Sequence, residues 1–252
     1  DLGHLREWAD WTAFLYVYIN SQREGLSQKK QLGREGGMRF LELKGIDELD
    51  IDNRIKLAGK IAFDMSLWHE IATGYGVSTI PFVSEKFSSF SVEDVYSNIL
   101  GIELGMIALK SPLDFNTAMT ELLSARLIEL GVVDNLEATY DAFDQVEGLW
   151  WSQDYAIPKN KVTIKRKYLE SNCIFPWLIP NPDLIIIASG IEIPGLTTTE
   201  KHLTEYFDLL IRANRKIPIR EVVSENKNKY ISHKQFGLFV SDIENKFNVS
   251  KN

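Results

Sequence analysis

Apolar residues recur at helical spacing through the first three-fifths of this chain, and the pattern predicts five helices there. The first covers residues 2–20, with a stripe of Trp8, Trp11, Leu15, Tyr18 and Ile19 opposite a wetter side at Arg6 and Asp10. A polar, Gly-bearing loop follows over 21–37, then an alternating stretch at 38–44 that reads as a short strand. Residues 47–53 are an acidic lead-in to a long helix over 51–74, ended by Gly74-Tyr75-Gly76. A Ser-bearing loop with Pro81 leads to a third helix, N-capped by Ser91 and running to about 109. Pro112 stops it, Asp114 caps a fourth helix over 115–130, and Asn135 starts a fifth that reaches about 151.

Beyond residue 151 the texture changes. Residues 162–168 alternate like a strand, four prolines lie between Pro176 and Pro194, and the β-branched run 184–188 suits a buried strand. Residues 199–214 and 233–247 read as two closing helices. The expected fold class is therefore α+β and predominantly α-helical. It is read as a single domain over 1–252, with a helical core over about 1–151 and a mixed α/β extension over about 152–252.

Composition narrows the function classes. The 252 residues are 44% hydrophobic and 11% aromatic, enough for a full core. The net charge of −7 and the lack of a long basic run argue against nucleic acid. No apolar stretch is long enough to span a bilayer. A single cysteine, Cys173, excludes an intrachain disulfide framework and cysteine metal clusters. Phosphate-binding glycine loops and the G-x-S-x-G nucleophile turn are absent. The fragment Asp50-Ile51-Asp52-Asn53 lacks the later Gly and Glu of a calcium loop.

The chemistry that remains centres on His69-Glu70, half of a zinc-peptidase helix motif with Thr73 where the second histidine would stand. At ~100° per residue, His69 falls on the stripe of Ile51, Ile55, Ala58, Ala62, Met65 and Ala72, and Lys56, Lys60 and Asp64 form the wet edge. His4 falls on the apolar side of the first helix, whereas His202 and His233 read as surface residues. Glu93 and Asp94 occupy the first turn of the third helix. Should the three helices pack together, His4, His69 and Glu93 form a competent set of ligands for zinc or another divalent metal, with Glu70 as the catalytic base. The bland alternative is a buried hydrogen-bond network: an inward histidine is more often a satisfied core residue than a ligand, and Glu93 and Asp94 suit the helix dipole. Gly101 and Gly105 suit close helix packing.

Three segments, Asp1 to Thr12, Trp68 to Gly76 and Phe87 to Asn98, resemble a family of bacterial cell-envelope proteins, often lipoproteins, catalogued as a domain of unknown function. The resemblance implies a periplasmic or lipid-anchored location, with an anchor upstream of residue 1, and an unknown small-molecule or envelope partner. It implies no known activity. Three functions stay open: a metal-dependent hydrolase with a His/His/Glu site, a non-catalytic binding or scaffold protein whose histidines and carboxylates form a closed network, and a metal-free acid-base enzyme using His69 and Glu70.

Overall fold

The computed structural model describes residues 1–22, 29–77, 86, 88–133, 135–152, 163–164, 166–168, 171–179, 189–224 and 229–249. The fold is α+β and helix-dominated, with a small antiparallel sheet drawn mostly from later sequence. The chain divides into two compact units, each built from two chain segments: Asp1–Ala9 with Phe90–Ile193, and Asp10–Ser89 with Pro194–Asn252. Helix α1 (Leu2–Ser21) supplies residues to both.

The first unit contains the start of α1, α3 (Val92–Ala108), α4 (Phe115–Glu129) and α5 (Leu136–Gln145). Their starts follow the sequence signals. Ser91, Asp114 and Asn135 each accept a hydrogen bond from the backbone three residues on, at Asp94, Thr117 and Ala138. Helix α5 ends near 145, well before the expected 151, and Trp151 closes back to stack on Phe143 at 4.4 Å. Two short ribbons complete the unit: β3 (Trp151–Ser152) with β4 (Thr163–Ile164), and β5 (Cys173–Ile174) with β6 (Ile191–Glu192). Of the strand expected over 162–168, β4 and a bridge between Ser91 and Arg166 are seen. The expected strand at 184–188 lies outside the described residues. Helix α3 is buried on nearly every side, and a Cβ at Gly101 would sit 2.0 Å from the carbonyl oxygen of Leu5, so glycine there sets how closely α1 and α3 approach.

The second unit places α2 (Ile51–Gly74) against a four-stranded antiparallel sheet and a closing helix. The sheet order is β1 (Lys30–Gln31), β2 (Gly37–Leu43), β7 (Phe207–Ala213), β8 (Ile231–Ser232), with β2 and β7 in register from Gly37 opposite Ala213 to Leu43 opposite Phe207. Alternation buries Leu41 and Leu43 on β2, and Phe207, Leu209 and Ile211 on β7. Helix α6 (Ile219–Val222) is one turn, and α7 (Phe236–Val249) packs on α2, with Phe236 and Trp68 rings 5.3 Å apart.

Residues 199–214 are a short 3-10 turn at Leu203–Glu205 followed by β7, not a helix. The alternation of Phe207, Leu209 and Ile211 against Asp208, Leu210 and Arg212 fits a strand, and pairing along all of β2 fixes it. The wet edge assigned to α2 is largely covered as well, with Lys56 and Lys60 half-buried. Asp64 is buried and pairs with Lys60 at 2.5 Å, because α2 is covered on nearly all sides from Ile55 onward.

Candidate functional site

The N-terminal turn of α3 is set by its cap. Phe90 is buried in a left-handed conformation, φ 56°, its carbonyl accepts from the Lys167 amide at 2.7 Å, and its ring meets Tyr168. Ser91 follows as N-cap, and the Asp94 amide donates to its Oγ at 3.2 Å. That fixes Asp94 in the first turn with its carboxylate toward α1. His4, in the first turn of α1, places Nδ1 2.9 Å from Asp94 Oδ1 and 3.4 Å from Asp1 Oδ2. Asp1 also accepts from the Gly3 and His4 amides through Oδ1. One ligand atom from each of Asp1, His4 and Asp94 lies within 4.8 Å of the others. Burial pushes the Asp94 carboxyl up, but the hydrogen bond and charge of His4 outweigh it and hold the group below the ordinary aspartate value.

Such distances are compatible with two chemistries. A nitrogen and an oxygen 2.9 Å apart make a hydrogen bond. Two ligands bound at ~2.0–2.2 Å to one tetrahedral ion also end up roughly 3–3.5 Å apart. Two carboxylates and one imidazole are a mixed O/N set suited to zinc or manganese, with positions left for water.

Asp1 also lines a cleft of about 680 Å³ in the same unit. Its walls come from the first turns of α1, from Val92, Glu93, Tyr96, Ser97 and Leu100 on α3, from the end of α4, from α5, and from Trp150 and residues 176–179. Its lining is mainly apolar. Glu93, expected as a metal ligand, is exposed and lines this cleft, while its neighbour Asp94 is the residue turned onto His4.

His69 belongs to the second unit and has a carboxylate of its own. Its Nδ1 bonds Glu35 Oε1, and Glu35 Oε2 accepts from Arg39 Nη1 at 2.9 Å. Arg39 is buried and also donates through Nε to the Leu32 carbonyl, while Trp68 Nε1 donates to the Glu35 carbonyl at 3.1 Å. Burial raises the Glu35 carboxyl, but His69 and Arg39 bring it net below its usual range. Glu70, expected as the base, is buried, whereas His69 is half-buried. Glu35 lies in a stretch read from sequence as a plain polar loop, and only its Gly-flanked charge offered a signal.

His233 corrects the expectation of a surface residue. It is buried, stacks on Phe207 at 4.5 Å, and accepts the Leu209 amide at Nδ1, 3.1 Å away. Its proton therefore sits on Nε2, which has no hydrogen-bond partner among the described residues. His202 is exposed, as expected.

Together these features define a helix-dominated α+β protein that carries a histidine-carboxylate cluster at the edge of an apolar cleft. The chain belongs to a family of proteins of unknown function, DUF4056, whose family model matches residues 1–180. That span includes His4, Asp94, Glu35, His69 and the cleft. No curated protein and no solved structure gives a match. No helix among the described residues is long and apolar enough to cross a membrane.

Proposed function

We propose that this protein is a metal-dependent hydrolase whose ion is held by Asp1, His4 and Asp94. The observation that carries the reading is the convergence of these three ligand atoms within 4.8 Å at a residue that also lines the cleft. An ion there supplies a water acidic enough to act as a nucleophile near neutral pH. Glu93, next to Asp94 and facing the cleft, is the carboxylate assigned to take the proton from that water. In this assignment Asp94 takes the ligand role first given to Glu93, and Glu93 takes the base role first given to Glu70. His69 and Glu70 are left to the structure of the second unit. The reading extends to a cell-envelope location with a lipid anchor and an envelope component as substrate, which rests on the family resemblance alone.

The test is elemental analysis of protein purified without chelator, alongside Asp94→Asn and His4→Gln. About one divalent ion per chain is expected for the parent, with loss in both variants. No bound ion after reconstitution with zinc or manganese, or equal loading of the variants, defeats the reading.

A second reading is favoured by the closed set at Glu35, where His69, Arg39 and the two carboxylate oxygens satisfy one another. In it both histidines are structural and the chain is a non-catalytic binding or scaffold protein. It requires that His4→Gln lower stability equally with and without chelator.

A further inference from the structure

The cleft of the first unit has a chemical character of its own. Its volume, about 680 Å³, falls in the ~300–1,000 Å³ range of small-molecule sites. Leu2, Leu5, Leu100, Leu127, Leu130 and Val132 supply an apolar floor and walls. Against these stand the carboxylates of Asp1, Glu93 and Asp141; those of Glu93 and Asp141 have no hydrogen-bond or ion-pair partner among the described residues. The nearby guanidinium of Arg126 is already tied to Glu103 at 2.9 Å and to Glu129 at 3.6 Å. No Lys, Arg or His occurs among the described residues of the lining. The same wall carries Trp150 and Trp177, set edge to face with centroids 6.4 Å apart.

We propose that this cleft binds a compound with an apolar body and a single positively charged head, an alkyl or aryl ammonium. The leucines and valine remove the body from water, which is favourable in proportion to the apolar area covered. The head meets the tryptophan rings, the strongest side-chain partners for an ammonium, and two carboxylates that no side-chain cation among the described residues pairs. An anionic amphiphile of the same length gains the apolar contact but meets repulsion from Glu93 and Asp141. The proposal names the substrate class of the hydrolase reading and rests on it only for turnover. Binding itself needs no ion, since neither the tryptophans nor Asp141 belong to the Asp1, His4, Asp94 cluster.

The probe set is decyltrimethylammonium, decyl glucoside and decanoate, each kept below its micelle concentration. Each is titrated calorimetrically into the full chain at pH 7.5 in 150 mM salt with EDTA present. The cation is expected to bind at one site per chain, about tenfold tighter than the neutral decyl compound, with decanoate weakest. Asp141→Asn with Glu93→Gln brings the cation to within about twofold of the neutral compound. Ala138→Trp, which fills the cleft from α5, abolishes binding of all three while circular dichroism stays that of the parent. Decanoate binding as tightly as the cation, a preference that survives the double variant, or no saturable site for any probe each overturns the proposal. Because chelator is present throughout, failure here leaves the metal reading standing. Cation selectivity without any metal loading leaves this proposal standing and removes the other.

Discussion

His4 Nδ1 lies 2.9 Å from Asp94 Oδ1, across ninety positions of sequence, and ties the first turn of α1 to the first turn of α3. The two turns are brought together by Gly101, which lets α3 lie against the Leu5 carbonyl. The cluster therefore depends on backbone packing as much as on charge.

Asp94→Asn is expected to destabilise the metal-free protein by about 1–2 kcal/mol, because it removes a charge-assisted hydrogen bond and a favourable charge at a helix N-terminus. The folded Asp94 carboxyl sits below its unfolded value, so its contribution is present above the unfolded value and is lost as pH falls through the folded one. Urea denaturation of parent and variant should differ at pH 7 and converge in strong acid. A difference that persists undiminished at acid pH counts against the pair.

Gly101→Ala should cost about 3 kcal/mol, since the new methyl group would meet backbone rather than a movable side chain. Gly237→Ala makes the contrast. It is exposed on α7 with nothing within 4 Å of the added Cβ, so it should stabilise by about 0.5–1 kcal/mol. Thermal melts of both variants decide the matter, and equal signs would contradict it.

Glu35→Ala should lower stability by about 2–3 kcal/mol, mostly because it strips the buried Arg39 of its carboxylate. Glu35→Gln should cost less, as an amide oxygen still accepts from Arg39. Equal losses in the two variants, measured by denaturant unfolding, would show that charge is not what matters there.

His233 makes a pH-dependent contribution of the same sense as Asp94, lost as pH falls, but in a higher pH window. Burial pushes its imidazole below the ordinary value, with Asp64 opposing in part. As pH falls below about 6.5, the unfolded chain binds a proton that the folded state resists, so stability drops. Asn at position 233 keeps an acceptor for the Leu209 amide and cannot titrate. His233→Asn should therefore show a shallower loss of stability between pH 7.5 and 5.5 than the parent. Parallel curves would show that His233 does not titrate in this window.

Much of the helical framework was legible in the sequence. The caps at Ser91, Asp114 and Asn135 and the bounds of α2 are local, written in side chains that bond backbone three residues away. The segment 199–214 reads as a helix because short apolar runs satisfy helix and strand spacing alike, and the partner that decides, β2, lies about 170 residues earlier. His233 was misread for a similar reason: a residue at a polar helix start is exposed unless another element covers it, and Phe207 does.

The candidate site divides along the same line. Sequence singled out His4, His69 and the carboxylates at 93 and 94 from residue type and helical phase. It puts Glu93 forward as the ligand, although its neighbour Asp94, ~100° away on the same turn, is the one that meets His4, and it does not find Glu35 in a polar loop. Those choices belong to the packed structure, where the Ser91 cap turns Asp94 onto His4 and the approach of β2 carries Glu35 to His69. Local hydrogen bonds and apolar periodicity act over a few residues and can be read along the chain. The pairing of charges depends on which surfaces are brought together and desolvated, and that is decided only when the chain is folded.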